Sequence, residues 1–462
     1  MLYLILFAAL AIGFFAATTM TAQMSRNDRV VAESQMAAES GLQFARRQVN
    51  LMNLTPDPDP ATAFGQMYAK LSAQLAGTTN MGGRDPTRFT DASGNDVICI
   101  PGTTGTAAGP TYGWMSLGGV AGQTRAVLTR AGSNVTLTAY GRARAAEPIA
   151  RAVQLTYVPR KLAWTAPGAG VLTRSPVVLS NGAQIAGGDV TVATAQAGVA
   201  PLTMSGGTKI EQNFFYTANP KAPVITNGAT VAGQIVPNTP MPSFPVVDGS
   251  AFEAFVPAAG TTGPKVITAT TSIPATATLT NIRIKANANT SFGNAIKLNG
   301  VIFVESPNKV TFGGGVTVTG VIVTDGNASV AMASNQITLD NGVRVDGVEA
   351  LSAANFTPAV WAAERLDDLK DLAGALVLAP NYPVVLAGGA RTFNGTMVAS
   401  KFDISNGYRG TINGSLINLA DTSFNMVGGG QITFAGGGGT IPGLYAGSRL
   451  VLDLASYLEV PP

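Results

Sequence analysis

The chain of 462 residues contains no histidine. That single absence removes imidazole general bases, Ser-His-Asp triads and histidine metal sites together. Cysteine is nearly absent too: Cys99 stands alone and can form no internal disulfide. A chain this long can bury enough apolar surface without one. Cys99 lies in the run Val97-Ile98-Cys99-Ile100, where a thiol packs as a small apolar group rather than a reactive one. Charge is scarce at 12% of residues, about half the usual share. The net charge of +3 is spread without a basic stripe, so no electrostatic footprint for nucleic acid is present.

Carboxylates are few and isolated. Glu305, Asp325, Asp340 and Asp346 are scattered through the repeats described below, with no pair recurring at a fixed spacing. Paired carboxylates are what glycoside cleavage requires, so the sequence favours a non-enzymatic role with no cofactor and no metal. Asp325-Gly326-Asn327 has calcium-loop chemistry in miniature, and the simpler expectation is a solvated turn.

What the chain does have is 54 glycines, 27 prolines and many Thr, Ser, Asn, Val and Ala residues. Strand formers alternating with polar residues between Gly-containing turns predict many short strands and argue against disorder. The exception is the N-terminus. Met1 to Ser25 carry no charge, and Met1 to Met24 as a helix would measure about 36 Å against a bilayer core of about 30 Å. Arg26 and Arg29 follow this run. By the positive-inside rule alone they would leave the Thr- and Gly-rich bulk in the cytoplasm, which predicts a short basic leader ahead of Met1, removed on the cytoplasmic side.

Beyond Ser25 the helical pattern turns one-sided. Val31, Ala38, Leu42, Ala45, Val49 and Met52 recur at spacings of three, four or seven, with charged residues between them. Pro56-Asp57-Pro58-Asp59-Pro60 then forbids helix. The expectation is one helix of roughly 53 residues, about 80 Å long, apolar all round over 1–24 and amphipathic over 25–53. A bilayer anchor needs only the first half; the second needs a folded partner.

This helix resembles the first helix of type IV pilins, especially minor pilins with an A-E-S-G tract. The tract stands here as Ala38-Glu39-Ser40-Gly41 within Val31–Leu42. The resemblance implies a processed, methylated N-terminus at Met1. It also implies a filament-core surface made by Leu2, Leu4, Ile5, Leu6, Phe7, Leu10, Ile12, Gly13, Phe14 and Phe15. Two positions depart from the family pattern: Ile5 stands where many members have glutamate, and Ala22-Gln23 where many have proline. Gly13, Thr18, Thr19 and Thr21 are poor helix formers, and a loosened stretch between Gly13 and Gln23 is expected in an assembled filament.

Residues 54–160 are expected to form a pilin-like α+β head. A short helix over 61–76 precedes strands at 97–100, 125–129, 134–139 and 152–158. From about 161 a unit repeats as Leu298-Asn299-Gly300-Val301-Ile302, Val318-Thr319-Gly320-Val321-Ile322, Phe393-Asn394-Gly395-Thr396-Met397 and Ile412-Asn413-Gly414-Ser415-Leu416. A period near 20 fits the rungs of a parallel β-helix, or solenoid, over 161–356 and again over 375–462. An antiparallel sandwich also tolerates Asn-Gly turns, and the even period favours the solenoid. Gly300, Gly320, Gly395 and Gly414 are its expected corners, each at positive φ. Val301, Phe303, Val321 and Val323 are expected inside. One helix over 357–374 would cover the solenoid, and Leu450, Leu452, Leu454, Tyr457 and Leu458 would close its last rung.

The fold class is thus mainly β with a long N-terminal helix. The function expected is that of a structural subunit of an extracellular type IV pilus-like filament. Its partners would be copies of itself and other pilins, preceded by the inner membrane and the pilus assembly machinery. The alternative is a minor or tip pilin that acts as an adhesin for a surface or carbohydrate.

Overall fold

No proline stands before Pro56, and the chain from Leu2 to Asn50 is one helix, α1. The computed structural model describes residues 2–52, 60–81, 83–104, 111–116, 122–143, 150–194, 196, 198–340, 342–405, 407–436 and 439–461. Met1 lies outside them, as do four residues of the acidic-proline segment, Pro56 to Asp59. In the isolated chain α1 is unbroken through residues 13–23. There the hydroxyls of Thr18, Thr19 and Thr21 donate to the carbonyls of Phe14, Phe15 and Ala17 four residues back.

The described residues divide into two units, Met1–Leu162 with Gly447–Pro462, and Ala163–Ala446. In the first, α1 is followed by a second helix, α2 (Pro60–Leu75), and an antiparallel sheet. Its strands Asp96–Ile100, Gln123–Ala131, Asn134–Arg142 and Ala150–Ala166 pair in sequence order. One row of opposed residues crosses all four: Ile98, Leu128, Leu137 and Leu155. Period-two alternation puts that row on one face, and it forms a single core with Leu42, Ala45 and Val49 of α1 and with Phe64, Met67 and Leu71 of α2.

The C-terminal strand departs from expectation. It does not close the last rung: residues 447–462 belong with the head unit. Leu452 packs against the head core, and the Thr156 backbone N–H donates to Ser456 Oγ at 2.7 Å. Tyr457 and Leu458 stay exposed, and the side chains of Leu450 and Leu454 lie outside the described set. The second unit is therefore inserted, in chain order, between two strands that neighbour each other in one sheet.

The second unit is a parallel β-solenoid. Lys297–Val304 pairs with Thr317–Thr324 at all eight positions in parallel register, Gly300 opposite Gly320. A single interior column runs Ile282, Ile302, Ile322, Val377, Met397, Leu416, Val171, Val190 and Phe214. All nine belong to one buried core. The order of that column shows a permuted stack. The first rungs in sequence, from Gly170, sit on the last ones, ending at Phe434. Entry and exit of the unit therefore lie in adjacent rungs, which is what insertion between neighbouring strands requires.

Two expectations about the rungs are corrected. Val301, Phe303, Val321 and Val323 do not face the interior; Leu298, Ile302, Val304, Val318 and Ile322 do. The first four lie on the outer side and are still fully buried, in a second core with Phe252, Val348, Leu351, Leu366 and Leu369. The cover is also not one helix. It comprises α3 (Ser250–Glu253), α4 (Pro358–Ala363) and α5 (Leu366–Lys370). The break between the last two falls at Arg365, which has φ +51°.

The corner glycines serve two different needs. Gly300 at φ +74° and Gly395 at φ +137° occupy backbone conformations that side chains disfavour. Gly320 and Gly414 do not. A Cβ on Gly320 would lie 1.9 Å from the Gly300 carbonyl oxygen, and one on Gly414 2.5 Å from that of Gly395. In each pair one glycine bends the chain and the next lets the rungs approach.

Candidate assembly surface

The first half of α1 is bare. Leu2, Leu4, Ile5, Leu6, Phe7, Leu10, Ile12, Phe14 and Phe15 are each exposed by 59–82%, and Gly13 has nothing near it. No charged residue interrupts this surface before Arg26. It is long and apolar enough to cross a membrane. Contiguous apolar surface of this extent does not persist in water and marks a site of association with lipid or protein.

The second half is clothed. Val30, Ser34, Ala37, Ala38, Gly41, Leu42, Ala45 and Val49 are buried, with Val30 rather than Val31 beginning the stripe. Small residues dominate because the helix backbone touches the sheet. A Cβ on Gly141 would sit 2.1 Å from the Ala38 nitrogen, and one on Gly41 would sit 1.8 Å from Thr124 Oγ1. Within Ala38-Glu39-Ser40-Gly41, the outer two residues make the close approach, while Glu39 is exposed and Ser40 half-buried. The same helix is thus anchored on one unit at its C-terminal half and unpartnered at its N-terminal half.

Elsewhere the candidate chemistry is structural. Cys99 is 1% exposed, and burial pushes its thiol up to about 12, far from thiolate reactivity. Asp325 accepts hydrogen bonds from the Ser306 backbone N–H and Oγ at 2.8 and 2.6 Å and from the Asn327 N–H. Its oxygens hold a turn. No group of three or more metal-ligating side chains occurs among the described residues.

Glu305 sits in a network that carries a prediction. Arg283, 2% exposed, donates to Glu305 at 3.0 Å and to Glu253 at 3.2 Å, and Lys285 donates to Glu305 at 3.1 Å. Burial alone would raise the Glu305 carboxyl, but hydrogen bonds from Arg283 and Lys285 outweigh it and hold the carboxyl below its ordinary range. A depressed folded value means stabilisation that is complete above the unfolded value, about 4.3, and is lost as pH falls through the folded one. The melting-temperature gap between the wild-type chain and Glu305→Gln should be widest near neutrality and shrink below about pH 4. A gap that widens on acidification contradicts this.

Sequence reasoning missed one group altogether: Arg344, Arg391 and Arg409, which line one groove of the solenoid. The signal was present. Arginine precedes Asn394-Gly395 and Asn413-Gly414 by three or four positions, but only the register of the rungs shows that these side chains share a surface.

No protein-family model matches the chain, and no curated protein does. Among solved structures the chain is similar to the competence-associated pilin ComZ from Thermus thermophilus, with 13% identity, 94% of this chain and 98% of that one covered, and a TM-score of 0.27.

Proposed function

We propose that the chain is a structural subunit of an extracellular type IV pilus-like filament, held together by the apolar halves of its N-terminal helices. The observation that carries this reading is the division of α1. A helix serving only as a bilayer anchor has no reason to continue for a further 26 residues as the buried stripe of a folded head (Val30 to Val49 within Leu2–Asn50). Continuity makes the bare half an extension of the head, suited first to the membrane and then to a bundle of identical helices. Burying a twenty-odd-residue apolar helix among neighbours supplies tens of kcal/mol gross at about 25 cal/mol per Å², enough to hold a polymer without covalent links. The solenoid would be displayed on the filament surface.

A second reading, a minor or tip subunit that binds a surface or a carbohydrate, is favoured by the arginine-lined groove. The test of the filament reading is to shear surface filaments from producing cells and identify their subunits by mass spectrometry. Peptides from residues 163–446 should appear in the filament fraction. Their confinement to the membrane fraction, while the same cells yield filaments of other composition, would remove this reading.

A further inference from the structure

The solenoid carries a groove of about 890 Å³ along its strands Ala390–Asn394, Arg409–Asn413 and Gln431–Phe434. It is crossed by successive rungs in strict register: Thr392 opposes Thr411, and Thr411 opposes Thr433. Three hydroxyls therefore ride one above another at the strand spacing of about 4.7–4.9 Å. Around them stand Arg344, Arg391 and Arg409, against one lining carboxylate, Asp346. That carboxylate is already engaged: it is 8% exposed and accepts from Arg344 Nε at 2.7 Å and from Asn394 Nδ2 at 3.1 Å. Arg409 is exposed, and among the described residues its guanidinium forms no ion pair or hydrogen bond. Arg391 donates to the Asp340 backbone carbonyl, so the spare positive charge of the groove is that of Arg409, beside a periodic row of hydroxyls and no aromatic lining residue.

We propose that this groove binds an extended anionic glycan, carboxylated or sulfated, lying along the solenoid axis with about one sugar ring per rung. The proposal deepens the carbohydrate-binding reading above and does not depend on filament assembly. Each part of the chemistry selects the class. A row of hydroxyls at a fixed spacing matches a polymer whose own hydroxyls recur at a similar interval, and each sugar can both donate to and accept from a threonine. Arginine forks suit planar carboxylates and sulfates. Single-stranded nucleic acid would need aromatic stacking platforms, and these are missing. Duplex DNA advances 3.4 Å per nucleotide along each strand and falls out of step with the ladder within a few rungs. A neutral glycan would leave Arg409 unanswered.

The test uses the full chain in detergent micelles and four probes: polygalacturonate, heparin, neutral dextran and a duplex DNA oligonucleotide. Binding to polygalacturonate or heparin is expected, weaker at higher ionic strength. Arg409→Gln should weaken it about tenfold, the loss typical of one charge-assisted hydrogen bond. Thr411→Val should weaken it by a smaller factor. Arg409 is exposed, so its variant should melt like the wild-type chain, and this separates binding from folding. Binding to neither anionic glycan, equal binding to dextran, tighter binding to DNA, or unchanged affinity in Arg409→Gln each overturn the proposal. All of these outcomes leave the filament reading untouched, because that reading rests on α1.

Discussion

Replacing Leu10 with aspartate should abolish surface filaments while leaving head and solenoid folded. Leu10 is 66% exposed on the bare half of α1, so the substitution removes no contact within the chain. In a bilayer, aspartate near the centre of a spanning helix costs about 2.5–3.5 kcal/mol. In a filament the cost recurs at every subunit, since each carboxylate meets the apolar surfaces of its neighbours and no Lys or Arg side chain before Arg26 is there to pair with it. Leu10→Met is the control, because a volume-conserving apolar swap costs less than about 1.5 kcal/mol. The measurements are the yield of sheared filaments and the melting temperature of the detergent-solubilised chain. Loss of filaments with unchanged melting is the expected pair for Leu10→Asp. Normal filament yield in that variant would mean that the apolar half does not lie in the filament core.

The same helix shows what a sequence can disclose. Its length was legible because no proline stands before Pro56, and its change from a bare to a buried half was legible because charge enters only at Arg26. The rung period was legible because Asn299-Gly300 and Thr319-Gly320 mark the same point of consecutive turns, and they oppose each other in the sheet. What escaped was whatever depends on distant residues. Leu298 to Val304 is apolar on both faces, so alternation alone cannot say which side is the interior. The answer lies in Phe252, Leu366 and Leu369, which cover the other side. The permuted stack was illegible for a related reason. Val171 opposes Leu416, a pairing across most of the unit that leaves no local mark on either strand. The C-terminal strand has strand character whichever sheet it joins, and the packing of Leu452 and the hydrogen bond from Thr156 to Ser456 assign it to the head. The glycine corners were found but explained too simply, since a residue type does not reveal whether φ or a neighbour's carbonyl excludes a side chain.

That last distinction and the double burial of the rung strands set the outcome of a substitution series on one strand, Thr317–Thr324. Val321 and Ile322 are both 0% exposed, one in the outer core and one in the inner. Aspartate at either should destabilise the solenoid by at least about 3 kcal/mol, because each site would receive an unpaired carboxylate among aliphatic side chains. Sensitivity should therefore fail to alternate over 321–323, where a strand with one solvated face would alternate. It should resume toward the start of the strand, where Val318 is in the inner core and Thr317 is half-buried. There Thr317→Asp should stay within about 0.5 kcal/mol of wild type. Gly320→Ala tests the corner. Its φ is outside the left-handed range, so backbone strain is not the cause of any loss. A new Cβ would collide with the Gly300 carbonyl oxygen at 1.9 Å, forcing adjacent rungs apart. Overpacking of this kind costs about 1–3 kcal/mol. Chemical denaturation of the full chain in detergent, followed by loss of the solenoid's β-sheet signal, reads all four variants. Tolerance of aspartate at Val321 would show that the outer face of this strand is open to water and that the cover formed by α3, α4 and α5 does not seal it.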